Sequence, residues 1–395
     1  MTRQFGGGGG LMSIWLAMFM VVCNMLAMKG SKILITLFSI QLGAPQIVIG
    51  VLIALYSLFP MILAIYAGKL TDRLGARLPM VVGSCGIAFG LTLPYLFPHT
   101  AALYFQAALV GAGHVFYNVS VQNMIGGIGT KEDRTRNFTN FGLAMATGSF
   151  IGPLVAGVAI DHVGHIYTYL ILAASPLVTA LIMGLRKQEP PGLPHAEEAS
   201  GRKPDAEASG SRPFELFFGN RPLRRVLITG AVLLTGIDLF QFYMPIYGHH
   251  IGLSASQIGI VLGTFSAAAF IVRIWMPAIV KRVGAERVLV ISMFAAATTY
   301  LAVPFITHMV LLCVICFILG LGTGCGQPLS LSLIYERAPG GRSGEALGLR
   351  ATLNNFTHMV TPLMFGAMGS AFGVTFVFLF NSLMLAGGGL IIRKR

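Results

Sequence analysis

The chain has 395 residues, 55% of them apolar and 10% charged, with a mean hydropathy of +0.77. A soluble domain carries about 25% charged residues, so composition excludes a water-soluble globular protein. The net charge of +13 does not mark a nucleic-acid binder either, because nearly all of its Lys and Arg fall at the termini or in and beside joints between long apolar runs.

The N-terminal MTRQFGGGGG is short and glycine-rich, and the apolar run after it reads as a retained span rather than a cleaved signal. Spans are predicted at Leu11–Leu42, Val48–Ala67, Leu78–Leu96, Ala101–Gly129, Phe138–Ile160, Tyr167–Leu185, Leu223–Tyr247, Ser256–Val280, Val288–Phe305, His308–Ile334, Ala346–Ala371 and Thr375–Ile392. Each is long enough for a hydrocarbon core of about 30 Å. The segment 188–222, rich in Pro, Gly, Ser and Glu, buries no core and is predicted to be a disordered cytoplasmic linker. The expected fold is therefore an all-α integral membrane protein with twelve transmembrane helices. Its six-helix bundles span residues 1–187 and 223–395.

Apart from Lys29, Lys32 and Arg273, the Lys and Arg fall at the termini, in alternate joints or at the helix ends beside them. The opposite joints, such as Gly43–Gln46, His162–His165 and His249–Ser256, contain none. By the positive-inside rule both termini are expected to be cytoplasmic, in the inner membrane of a bacterial-type cell.

The two halves repeat at a constant offset of 209 residues (284 − 75): Gly43, Gly50, Gly75, Gly111, Gly113, Pro153, Gly157 and Gly164 answer Gly252, Gly259, Gly284, Gly320, Gly322, Pro362, Gly366 and Gly373. Duplicated halves are what secondary transporters use to alternate access around a midplane site.

The joint between the second and third spans reads GKLTDRLGAR, and Gly68, Leu70, Asp72, Arg73, Gly75 and Arg77 match the loop pattern G-x-L-a-D-R-x-G-R-R/K of the major facilitator superfamily, with Ala76 departing from it. The chain thus resembles that family over nearly its whole length. The resemblance implies two pseudo-symmetric bundles and a cytoplasmic gate at Gly68, Asp72, Arg73, Gly75 and Arg77. Asp72 is then expected to face the N-terminal end of the eleventh span near Ser343–Ala346, where a helix dipole favours a carboxylate. The fifth span's GSFIGPLVAG, with Gly148, Gly152, Pro153 and Gly157, is similar to a helix-packing motif of the family's antiporters. Ala107 stands where many drug-exporting members carry an Arg in the fourth span.

Ionisable groups at membrane depth cost about 2.5–3.5 kcal/mol each on insertion scales and are functional candidates by default. The first span carries Lys29 and Lys32 on one helical face, the seventh Asp238 and the eighth Arg273. Lys29 and Asp238 are repeat mates, as are Lys32 and Gln241, so Asp238 is expected to pair with Lys29 or Arg273 and to serve proton coupling. The alternative is a permanent structural salt bridge. Three deep cations against one carboxylate favour an anionic substrate, whereas a snorkelling Lys would remove that excess.

The fourth span offers His114, Asn118 and Gln122 along one face, the tenth offers Gln327 and the eleventh Asn354 and Asn355. These join Lys29, Lys32 and Gln241 as candidate substrate ligands, although polar stripes serve equally as interhelical glue. Cys313-x-x-Cys316 lies in an apolar span and, with the other three cysteines, reads as core packing. No metal spacing, P-loop or nucleophilic constellation is present, so no enzyme activity, cofactor or metal is expected.

The expected function is proton-coupled secondary transport of a small organic anion, with small-molecule substrate, protons and the bilayer as partners and no nucleic acid. The alternatives are a drug/proton antiporter exporting lipophilic or cationic compounds, or a non-transporting receptor on the same scaffold.

Overall fold

A computed structural model describes residues 14–128, 133–185, 217–338 and 343–393. The start of the first predicted span and nearly all of the predicted linker lie outside these residues. Among the described residues all regular structure is helical. The helices are α1 (Ile14–Gln41), α2 (Gln46–Leu74), α3 (Arg77–Leu96), α4 (Thr100–Gly127), α5 (Asp133–Leu185), α6 (Arg221–His250), α7 (Ala255–Val283), α8 (Ala285–Ala302), α9 (Met309–Gly324), α10 (Gly326–Arg337), α11 (Ser343–Phe372) and α12 (Val374–Arg393).

Helix α5 holds two predicted spans, because Gly164 breaks its helical dihedrals with φ of 82°. Conversely α9 and α10 are one predicted span interrupted at Cys325. Nine helical segments among the described residues are long and apolar enough to cross a membrane, the bent Arg136–Leu185 counting once. Helices α4 and α11, both predicted as spans, are not among them. The physical reason is their polar content: α4 carries Gln106, His114, Asn118 and Gln122, and α11 carries Arg350, Asn354, Asn355 and His358.

The repeat is written into the backbone. Among the described residues those with positive φ are all glycines, and they form three pairs of repeat mates: Gly43 with Gly252, Gly75 with Gly284, and Gly164 with Gly373. Each ends a helix in a conformation that other L-residues adopt only with strain.

Small residues let the helices approach closely. Gly148 and Gly152 of α5 lie against Val22, Met25, Leu26 and Gly30 of α1, and a Cβ on Gly152 would stand 2.8 Å from the Leu26 carbonyl oxygen. Across the repeats, α5 packs on α7 and α2 on α11. At these two crossings Gly259 sits on the Pro153 carbonyl and Gly50 on that of Pro362, again two pairs of repeat mates.

Both crossings lie at the charge-poor end of the molecule, and polar contacts seal them. The backbone N–H groups of Ala255 and Ser256 donate to Asp161, at 3.0 and 2.8 Å. Ile47 N–H donates to Ser370 Oγ at 3.0 Å, and Tyr243 donates to Gln46 Oε1. Toward the basic end the repeats part: α4 and α10 pack against helices of their own repeats, and a Cβ on Gly68 would meet nothing within 4 Å. Among the described residues, the repeats pack on each other at the charge-poor face through α5 with α7 and α2 with α11.

Candidate functional site

Two adjoining cavities lie between the repeats and share Lys32 and Gln241. One is lined also by Lys29, Ser149, Pro153 and Ser266, and the other by Ser57, Asp238, His358 and Pro362. Helix α1 delivers Lys32 to both cavities and Lys29 to the first, because its residues 29 and 32 are one turn apart on the face turned toward α6. Lys29 Nζ donates to Gln241 Oε1 at 2.9 Å. This bond crosses the repeats one helical turn away from Asp238, the residue that matches Lys29 in sequence.

The expected ion pair of Asp238 with Lys29 or Arg273 is not formed. Asp238 Oδ2 instead lies 2.6 Å from His358 Nδ1 of α11. The histidine is one of several polar residues in the eleventh span. What marks it is that α6 and α11 are packed neighbours, which sequence spacing does not reveal.

Arg273 points elsewhere for a backbone reason. Pro328 has no N–H, so the carbonyl of Gly324, four residues earlier, loses its helical donor, and the proline ring crowds that carbonyl. The chain breaks at Cys325, and Arg273 Nε donates to the orphaned Gly324 oxygen at 3.2 Å. In a membrane an unsatisfied carbonyl of this kind must find another partner. Arg273 is a structural donor to a broken helix, and the deep charge around Asp238 is reduced to Lys29 and Lys32 against one carboxylate. The sequence-based excess of about two positive charges becomes about one with His358 neutral.

The Lys32 ammonium makes no hydrogen bond to the described residues. Its ammonium lies 5.7 Å from the ring centre of Tyr56, a cation–π arrangement. The Tyr56 hydroxyl is fixed by Ser31 Oγ at 3.2 Å and Gln106 Nε2 at 2.9 Å.

The other candidate ligands divide. His114 is half-buried with its Nδ1 enclosed and unpartnered among the described residues. Asn118 and Gln122 are half-buried on the same helix, Asn354 is half-buried and Asn355 exposed; none of these lines either cavity. Gln327 is already engaged, because Arg350 Nη2 donates to its Oε1 at 2.6 Å and to its carbonyl at 3.2 Å. Arg350, taken from sequence as the edge of a joint, stands two turns inside α11 on the face of Asn354 and His358.

At the basic end, Asp72 and Arg73 are exposed. Asp72 receives one long hydrogen bond, from Asn123 Nδ2 at 3.5 Å, and among the described residues it does not meet the eleventh span. The expected docking point of Asp72 at Ser343–Ala346 includes side chains, at 343–345, that lie outside the described residues. Arg77 donates to the carbonyls of Met183 and Gly184 at 2.8 and 2.7 Å. It thereby satisfies the open C-terminal end of α5, where a cation also suits the helix dipole. Gly75 caps α2 at φ of 75°.

At the charge-poor end, burial works to raise the Asp161 carboxyl. Hydrogen bonds from Ser256, Ser254 and the Ala255 N–H outweigh it and hold the group below the ordinary carboxylate range. No group of three or more His, Cys, Asp or Glu among the described residues is placed to hold a metal.

The family model of the Major Facilitator Superfamily matches residues 17–362 and 248–394. The chain is 22% identical over 391 residues to an uncharacterized MFS-type transporter, YuxJ, of Bacillus subtilis (strain 168), covering 96% of each chain. It is 24% identical over 321 residues to the class D tetracycline resistance protein of Salmonella ordonez, covering 80% of this chain and 78% of the relative. A crystal structure of a mutant of the peptide transporter POT superposes with a TM-score of 0.79 at 15% identity, covering 98% of this chain and 95% of the other. That likeness concerns the fold alone. With helices in two repeats offset by 209 residues around a polar cleft and a family match along nearly the whole chain, the protein belongs to the major facilitator superfamily.

Proposed function

We propose that the protein is a proton-coupled secondary transporter of the inner membrane that moves a small organic anion. The basic face is cytoplasmic, and two six-helix halves, residues 1–187 and 223–395, rock about the cleft between them. The observation that carries the anion reading is Lys32: an ammonium lining both cavities, with no hydrogen-bond acceptor among the described residues, beside one carboxylate already occupied by His358. A buried cation without a partner is costly, and a solute carboxylate or phosphate would supply the missing acceptor. Lys29 and Gln241 give that anion a second point of attachment, and Ser149 and Ser266 line the same cavity.

A drug/proton antiporter is the second reading. It is favoured by relatives named tetracycline resistance and multidrug resistance proteins, and it would make Asp238 the counter-ion of a cationic solute. Thermal unfolding of the purified protein separates the two. A ligand present at about 100 times its dissociation constant adds roughly 2.7 kcal/mol of stability. Stabilisation by di- and tricarboxylates or sugar phosphates, lost in Lys32→Ala, supports the anion reading. Stabilisation by lipophilic cations alone, lost in Asp238→Asn, replaces it with the antiporter.

A further inference from the structure

We propose that His358 carries the coupled proton, and that its charge decides whether Asp238 or a transported anion neutralises Lys32. This deepens the anion reading and rests on it for the role of Lys32, but not for the role of His358.

Asp238 and His358 belong to the second repeat and touch each other at 2.6 Å, and both line a cavity with Lys32 of the first repeat. One carboxylate therefore has two basic neighbours, one on its own repeat and one on the other. An imidazole is the side chain whose charge changes nearest neutral pH.

When His358 is protonated, its N–H⁺ and the Asp238 carboxylate neutralise each other within the second repeat. Lys32 is then left with its N–H donors unclaimed and available to an anion. When His358 gives its proton to water in the cavity, Asp238 loses that cation and Lys32 becomes its partner. Only then does an ion pair bridge the two repeats.

The arrangement leaves two states in which Lys32, Asp238, His358 and any bound anion together carry no net charge, while Lys29, hydrogen-bonded to Gln241, adds the same positive charge to both. In one, proton and anion are both bound. In the other, both are absent and Asp238 holds Lys32. A proton without an anion leaves Lys32 exposed, and an anion without a proton must compete with Asp238. Since unbalanced charge in a closed low-dielectric cleft is costly, the balanced states are the ones that change conformation. That is the logic of symport.

The other charged or titratable groups around the pair leave this choice intact. Lys29 on α1 is held by Gln241. Arg273 on α7 is held by the Gly324 carbonyl, and Arg350 on α11 by Gln327. Tyr300 on α8 donates to the Gly236 carbonyl. Tyr56 on α2 lies beneath Lys32, and His114 on α4 lies on the lysine side of the cleft. Cys316 of α9 is buried among apolar side chains.

Two arms test the proposal. The first uses no solute. Spin labels at Leu74 and Lys281, in a Cys85→Ser background, report the separation of the two repeats on the basic face between pH 5 and 8. Raising the pH should move the wild type toward the shorter distance as Asp238 turns to Lys32. His358→Gln should abolish the pH response, and Lys32→Gln should leave the protein open at every pH. A pH response that survives in His358→Gln overturns the proton assignment.

The second arm uses liposomes and succinate, citrate, glucose 6-phosphate and inorganic phosphate as probes. His358→Gln should retain counterflow of the bound anion while losing accumulation driven by a pH gradient at least tenfold. Equal loss of both overturns the coupling role. If none of these probes moves in the wild type, the anion reading and the Lys32 half fall together, and the spin-label arm still decides whether His358 is the proton site.

Discussion

Asp161 and Ser370 occupy the same position in the two repeats, and each reaches across to the first turn of a helix in the opposite repeat. Asp161 accepts from the backbone of Ala255 and Ser256 at the start of α7; Ser370 accepts from Ile47 at the start of α2. The donors Ser256 and Ile47 are themselves repeat mates. The charge-poor face is thus closed by one latch used twice, once with a carboxylate and once with a hydroxyl.

The charged latch should be the stronger, since a carboxylate at a helix N-terminus gains from the exposed N–H groups and the dipole. It is solvent-exposed and screened, so Asp161→Ala is expected to cost the closed state roughly 0.5–1 kcal/mol, a factor of about 2–5 in population. Ser370→Ala should cost less. Because the Asp161 carboxyl is held below its ordinary range, its contribution is complete above that range and disappears as pH falls through the depressed value. Distances between labels on the charge-poor face should therefore lengthen on acidification in the wild type. This component should be missing in Asp161→Asn.

Glycine at the two crossings is a steric requirement of the same closure. A methyl on Gly259 would stand 2.6 Å from the Pro153 carbonyl oxygen, and one on Gly50 would strike that of Pro362. Overpacking of this kind typically costs about 1–3 kcal/mol, and here it is paid by the closed state only. Gly50→Ala and Gly259→Ala should make a cysteine placed at Ser266 react faster with a membrane-impermeant thiol reagent added from the charge-poor side. Gly142→Ala, where a Cβ meets nothing within 4 Å, should leave that rate unchanged. Equal rates in all three variants would show that these crossings do not control access.

The account of Arg273 predicts a non-additive pair. Arg273→Met leaves the buried Gly324 carbonyl without a donor, a loss of about 1–3 kcal/mol. Pro328→Ala restores a backbone N–H four residues on and should reduce the cost of Arg273→Met by half or more. Thermal unfolding of the four proteins in the cycle measures this coupling. Strict additivity would mean that Arg273 does not serve the carbonyl that Pro328 orphans.

These residues also show what was legible in sequence. The repeat was, because the glycines that turn the chain and those at helix crossings are fixed by backbone geometry and recur at one spacing. The depth of Lys29, Lys32 and Asp238 was legible too, since rise per residue sets height in a helix. The partner of each charge was not. Pairing depends on which helices adjoin and how each is rotated, and neither follows from periodicity in a span that is apolar all round. Hence sequence alone does not single out His358 as the partner of Asp238, nor tell Arg350 inside the eleventh span from the edge of a joint. Arg273 was recoverable: a proline four residues after a glycine inside the tenth span announces an orphaned carbonyl, and a nearby intramembrane cation is a natural donor to it.

Lumenal pH in proteoliposomes carrying a trapped dye tests the central claim most directly, with membrane-impermeant succinate, citrate or glucose 6-phosphate added outside. Symport of proton and anion predicts lumenal acidification with at least one of these solutes, absent in Lys32→Ala and in His358→Gln. Lumenal alkalinisation on adding a lipophilic cation, with no response to any of the anions, would contradict the account and identify a drug/proton antiporter.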